Sequence, residues 1–145
     1  MHMADERTDV PYVGEERGAP PTRWLARQRV RRVADFLEGD VLELGCGFGG
    51  VLEYASVHGS IGSYTGVEAL AENVRALEAK CPQHKFYAFD LDSQHWPVSG
   101  TFGCILALAV VENPWNLKGL SSHLRCLLKD DAVAMCTTPT IWRIT

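Results

Sequence analysis

The chain has 145 residues, a length that fits one domain. It carries 14 Lys and Arg against 18 Asp and Glu, a formal net charge of −4, which argues against a nucleic-acid binder because such surfaces need a basic excess. Hydrophobic residues make up 46%, too many for a disordered chain, yet no apolar run approaches the roughly 20 residues that cross a bilayer.

Residues 1–22 read as a flexible N-terminal arm, rich in charge, Gly and Pro, and residues 23–145 as the folded domain. The first ten residues are polar and acidic and lack the apolar stretch of a secretory signal. The five cysteines are Cys46, Cys81, Cys104, Cys126 and Cys136. Their odd number and the lack of any C-x-x-C pair argue against a disulfide framework and a zinc knuckle, and point to a reducing cytoplasm. Cys81 and His84 have C-x-x-H spacing, but without a second pair they read as a loop after a helix.

From Arg23 to Leu37 the spacing turns helical, with Leu25, Val30, Val33, Phe36 and Leu37 on one face. Arg23, Arg27 and Arg31 recur every four residues on another face, and Arg29 and Arg32 bring the count to five. That face is read as solvated, with a patch for an anionic substrate or for nucleic acid as the alternative. Gly39-Asp40 is expected to break the helix. Val41–Leu44 then reads as a strand ending in Gly45-Cys46-Gly47-Phe48-Gly49-Gly50, and Val51–Val57 as a helix. A turn is expected over His58–Ser63, then a strand over Tyr64–Glu68 and a helix over Ala71–Lys80. Lys85–Phe89 reads as a third strand, followed by Asp90-Leu91-Asp92. Phe102–Ala109 holds a fourth, whose unbroken apolar run suits a parallel sheet covered on both faces. Leu117–Leu128 suits a helix, Lys129–Asp131 a turn and Ala132–Thr137 a fifth strand. This alternation predicts an α/β fold, a doubly wound, mostly parallel Rossmann-like sheet of about five strands with flanking helices.

The glycines at 45, 47 and 49 let the backbone approach a ligand closely, and the helix that starts there offers free N–H groups. Glu68 follows Gly49 by 19 residues, at the end of the next strand, the spacing at which an acid meets ribose hydroxyls. Asp90 follows the third strand. All three features belong at the carboxyl edge of the sheet, where open α/β sheets bind ligands. Gly45, Gly47 and Gly50 also satisfy G-x-G-x-x-G, so a nicotinamide-dependent oxidoreductase must be weighed. Glu43 argues against it, because a carboxylate inside the first strand repels a pyrophosphate and attracts an ammonium group. S-adenosyl-L-methionine has that ammonium, a sulfonium and a ribose, and no phosphate. A structural acid capping a neighbouring loop is the other reading of Glu43.

Val41-Leu42-Glu43-Leu44-Gly45-Cys46-Gly47-Phe48-Gly49 resembles the first motif of class I S-adenosylmethionine-dependent methyltransferases of the small-molecule, type 11/12-like kind. Glu68 matches that family's ribose-binding acid and Asp90-Leu91 its adenine-binding step. Ile105–Asn113 is similar to the segment after strand four, Leu127–Asp131 to the turn before strand five, and Thr137–Thr140 to the segment after that strand. The resemblance spans about residues 25–140. Three positions depart from the pattern: Gly103 stands where an acid is usual, Glu112-Asn113 where Glu-His is, and Asp130-Asp131-Ala132 where Pro-Gly-Gly is. Asn113-Pro114-Trp115 reads as a helix-start turn with Pro114 near the first helical position.

The resemblance implies methyl transfer to a small-molecule acceptor. Glu43, Gly45, Cys46, Gly47 and Gly49 would hold the methionyl part, Glu68 and Ala69 the ribose, and Asp90 and Leu91 the adenine. Ala107 and Leu108 would form the floor. Tyr12 could fold over the pocket, and Glu112 is the one candidate base. A non-catalytic binding or partner module is the alternative. No metal is implied. The family's fold has seven strands and this chain accounts for five. Either the chain is truncated at its C-terminus, or a homodimer partner or partner subunit covers the strand-five edge.

Overall fold

The computed structural model describes residues 20–58, 60–108, 110–111 and 116–137. Helix α1 spans Pro20–Val33, starting three residues before the expected Arg23. Pro20 suits that start, since a first-turn N–H has no partner within the helix. A 3-10 turn over Ala34–Phe36 leads into β1, Glu38–Leu44. Helix α2 covers Gly50–His58, β2 Ser60–Glu68, α3 Ala71–Lys80 and β3 Lys85–Ala88. Strand β4 covers Phe102–Leu108, α4 Leu117–Leu127 and β5 Leu128–Thr137.

The strands form one parallel sheet in the order β3-β2-β1-β4-β5, the doubly wound arrangement expected from the alternation. From β1 the chain winds outward through β2 to β3, then returns to lay β4 on the other side of β1. The carboxyl ends of β1 and β4 therefore flank a topological switch point, where a crevice opens.

Two apolar layers hold the sheet. On one face Val30 and Val33 of α1, Leu37, Val51, Leu52 and Ala55 of α2, and Val74 and Leu77 of α3 pack on Val41, Tyr64, Phe86, Cys104 and Leu106. On the other face Leu120 and Leu127 of α4, with Val98, cover Leu42, Leu44, Val67, Ile105 and Ala107. Each Val, Leu, Ile and Phe among them contributes roughly 1.5–3 kcal/mol on burial. Residues 89–101, between β3 and β4, contain no helix. Their Trp96 stacks on His123 of α4, with ring centroids 4.7 Å apart, and meets Phe89 at 5.3 Å.

Four local expectations are corrected. Phe36 is not on the buried face: the tightening into the 3-10 turn leaves it 49% exposed. Gly39-Asp40 lies inside β1, because Gly39 takes φ 66° and the strand continues past it. The turn expected over His58–Ser63 is largely strand, with Gly39 paired to Ile61 and Asp40 to Ser63, so Gly62 forms a bulge. The turn expected at Lys129–Asp131 is absorbed into β5. Phe102 pairs with Leu128 and Cys104 with Val133, so residues 129–132 oppose Gly103 alone. Strand β5 is an edge strand bare on much of both faces, and its Val133 is 39% exposed.

Candidate functional site

The glycine turn sits where β1 hands over to α2. Gly45, Gly47 and Gly49 have φ of 69°, 52° and 84°, the left-handed region that only glycine enters freely. Two backbone bonds set its shape: Cys46 N–H donates to the Val67 carbonyl at 2.9 Å, and Gly49 N–H to the Cys46 carbonyl at 2.8 Å. The first ties the turn to the end of β2. The Cys46 side chain points into the core, not the crevice, and burial raises its thiol well above the ordinary value, with Glu43 and Glu68 adding to the effect.

Glu68 reaches back to this turn from the end of β2. One carboxylate oxygen accepts from Gly47 N–H at 2.9 Å, and the other from Leu70 N–H at 3.1 Å. The spacing anticipated Glu68 at the strand end; its bond to the glycine turn is a further finding. Ala69 and Leu70 carry the chain from it into α3. Phe89 N–H donates to the Glu68 carbonyl at 3.2 Å, which brings the segment after β3 alongside. There Asp90 is exposed, and its side chain accepts from Asp92 N–H at 2.9 Å. Asp92 in turn accepts from Asn116 N–H at 3.0 Å, and Asn116 caps α4 through Gly119 N–H at 2.8 Å. The segment after β3 is thereby held to the start of α4, and Leu91 is half-buried against the second apolar layer.

Glu43 takes a different position. Its side chain is 1% exposed and lies in the layer under α1–α3, where it accepts a hydrogen bond from the Tyr64 hydroxyl. Burial pushes its pKa up to about 8; the Tyr64 bond opposes this and the Glu68 charge adds to it. This acid has its partner within the fold. Tyr64 was not singled out from the sequence, although a buried acid requires such a donor.

Ala107 and Leu108 end β4 and are buried, with Ala107 in register with Leu44. Val110 follows them and closes over the turn: a Cβ on Gly45 would fall 2.4 Å from Val110 Cγ2. This contact too was unforeseen. Tyr12, Glu112, Asn113-Pro114-Trp115 and Thr138–Thr140 lie outside the described residues. Among the described residues no group of His, Cys, Asp and Glu could hold a metal ion, and Cys46, Cys81, Cys104, Cys126 and Cys136 are free thiols.

A glycine turn after the first strand, bonded to an acid that ends the second, at the switch point of a doubly wound parallel sheet, defines a Rossmann-like nucleoside-binding domain. A methyltransferase-domain family model matches residues 20–143, and the chain belongs to that family, with the class I fold. A search by sequence among curated proteins finds no match. Among solved structures, the DhpI–SAM–HEP complex is similar at TM-score 0.67 and 19% identity, over 81% of this chain and 55% of that one. A putative methyltransferase solved in complex with the Haloferax volcanii Trm112 methyltransferase activator is similar at TM-score 0.66 and 19% identity, over 78% and 50%. The plantazolicin methyltransferase BamL, solved in complex with a triazolic desmethylPZN analog and SAH, is similar at TM-score 0.64 and 22% identity, over 74% and 44%. The chain thus spans about half the length of these structures.

Proposed function

We propose that this chain binds S-adenosyl-L-methionine at the carboxyl edge of its sheet and transfers the methyl group to a small-molecule acceptor. The observation that carries the reading is Glu68, which ends β2 with its carboxylate bonded to Gly47 N–H. A carboxylate there fits vicinal ribose hydroxyls, since each of its oxygens keeps a further lone pair beside the N–H it accepts. The exposed Asp90 beside it can accept the exocyclic amine of adenine, with Leu91 along the ring. The turn from Gly45 to Gly49 would run under the methionyl part, and Ala69, Ala107 and Leu108 would line the floor. Glu43 would support the turn from beneath through Tyr64. Two acids at this edge, Glu68 and Asp90, suit a cofactor without phosphate better than a dinucleotide; Glu43, buried and protonated at neutral pH, adds no charge there.

The cofactor supplies an activated methyl group on a sulfonium, so the chain's residues have only to hold donor and acceptor in line and exclude water. Calorimetric titration tests the reading. Micromolar affinity for S-adenosylhomocysteine and none for NADH is expected, and the reverse would overturn it. Glu68→Ala is expected to weaken S-adenosylhomocysteine by about tenfold or more, the loss of two charge-assisted hydrogen bonds. Methyl release over a metabolite panel then separates an enzyme from a binding module.

The free thiols suit a reducing, cytoplasmic setting, and no described helix is long and apolar enough to cross a membrane. The β5 edge offers unpaired backbone groups to a second copy or a partner subunit. Sedimentation velocity should show concentration-dependent association that Val133→Lys reduces; a monomer at all concentrations would leave no role for a second copy.

A further inference from the structure

Helix α1 carries charge that the site at the carboxyl edge does not use. Five of its 14 residues are arginine, and none is lysine or acid. Val30 and Val33 turn inward and are buried in the first apolar layer. Trp24, Arg27 and Arg31 recur at steps of three and four residues, which places them in one stripe on the opposite, outward side. All three are exposed, Trp24 by 59%, and Arg32 is exposed beside them. Asp35 and Glu38 follow the helix, but neither pairs with an arginine of α1. The ion pairs among the described residues join Lys80 to Glu53 and Lys129 to Asp40.

Two features separate this stripe from an ordinary solvated face. The first is residue choice. Arg31 and Arg32 suit the end of a helix, where the dipole favours cations. Arg27 has no such use, and its place four residues before Arg31 sets two like charges side by side, which disfavours the helix. Arginine also presents a planar fork that grips phosphate through two N–H groups. The second feature is apolar exposure around the charge. Five large apolar side chains are exposed among the described residues, and three of them, Trp24, Phe36 and Val57, lie on this helical layer. Val57, near the end of α2, is 73% exposed. Glu38 pairs with Ser60, so Phe36 and Val57, just before those residues, stand at the same end of the layer. Single exposed apolar residues are ordinary, but three gathered around an unpaired basic stripe mark an interaction surface.

We infer that the outer side of α1, with the adjoining end of α2, docks on an anionic phospholipid surface. Arg27, Arg31 and Arg32 take headgroup phosphates, and Trp24, Phe36 and Val57 enter the boundary between headgroups and acyl chains. Aromatic rings favour that depth, and arginine stems lie along it while their charged heads stay in water. A single-stranded RNA would use the arginines and the two rings, but would leave Val57 in water. The chain's net charge of −4 opposes approach only at long range, because salt screens exposed charges beyond about 8 Å. Docking here needs no occupant at the glycine turn.

Vesicle flotation of the full chain tests the docking, with phosphatidylcholine vesicles, mixed phosphatidylcholine–phosphatidylglycerol vesicles, and polyuridylic acid as a competitor. The chain is expected to float with the mixed vesicles at low salt, to leave them as salt rises, and to ignore phosphatidylcholine alone. Arg27→Gln combined with Arg31→Gln should lower the partition constant by about 25-fold, a factor of about five for each charge. Trp24→Ser should lower it several-fold at every salt concentration. These positions are exposed, and circular dichroism checks that each variant keeps its fold. No flotation at low salt, or equal flotation with both kinds of vesicle, overturns the docking. An unchanged partition constant in the arginine variant overturns α1 as the surface, and in Trp24→Ser the insertion of its ring. Polyuridylic acid that strips the chain from mixed vesicles makes nucleic acid the preferred partner and overturns lipid.

Discussion

The Tyr64 hydroxyl on β2 donates a hydrogen bond to the carboxyl group of Glu43 on β1, inside the layer beneath the glycine turn. That carboxyl ionises only near pH 8, against 4.5 ordinarily, chiefly because it is buried. Between those values the folded protein holds a proton that the unfolded chain has released. Stability contributed by Glu43 therefore falls as pH rises from about 4.5 to about 8 and levels off above, by at most about 5 kcal/mol. Glu43→Gln should flatten this slope. Urea unfolding of both proteins across that range checks it, and parallel slopes would contradict the assignment.

Glu68 acts on the turn as well as on a ligand. Its two oxygens accept from Gly47 and Leu70. Glu68→Gln leaves one acceptor oxygen and places an amide donor against an N–H. The turn and the start of α3 should then loosen together, with a loss of about 1–3 kcal/mol. Hydrogen exchange at Gly47 and Leu70 should quicken in this variant without any ligand. Unchanged exchange at both amides would mean that the carboxylate does not hold the turn.

The sequence made most of the site legible and less of its surroundings. Alternating β and α segments anticipated all five strands, and the spacing from Gly49 to Glu68 anticipated an acid at the edge of β2. These depend on local pattern. The Glu43–Tyr64 bond depends on β1–β2 register, which places Val41 beside Tyr64 and which spacing along one strand does not reveal. Gly62 and residues 129–131 read as turns in the sequence because bulges and turns draw on the same residue types. Val110 over Gly45 is a contact between segments 65 residues apart, and no periodicity encodes it.

Gly103, one of the departures from the family pattern, has a structural counterpart. Opposite it, residues 129–132 bulge from β5, and Lys129 reaches past β4 to Asp40 on β1. A Cβ at Gly103 would have the Asp40 carbonyl as its nearest neighbour at 3.9 Å, so an acid placed there would stand close to Asp40. Lys129 and Ser63 hold the Asp40 carboxyl below its usual 3.8. That contribution is present above 3.8 and is lost as pH falls through the lowered value. Lys129→Met should quicken hydrogen exchange at the start of β5 at neutral pH. The two proteins should converge in acid and in high salt, since both ends of the pair are exposed. A difference that persists in both conditions would refute the ion pair as its source.

Gly45→Ala separates two demands on the glycine turn. The residue has φ 69°, and an added Cβ would meet Val110 Cγ2 at 2.4 Å. The conformation alone costs about 1–2 kcal/mol for a residue with a Cβ, and overpacking about 1–3 more. Gly39 supplies the control: its φ is 66° but nothing lies within 4 Å of a Cβ there. Gly39→Ala should therefore show only the conformational part. Adding Val110→Ala to Gly45→Ala removes the colliding methyl and should recover the overpacking part, leaving the double variant near Gly39→Ala after correction for Val110→Ala alone. Urea unfolding measures all four. If Gly45→Ala and Gly39→Ala lose equal stability, Val110 does not press on the turn.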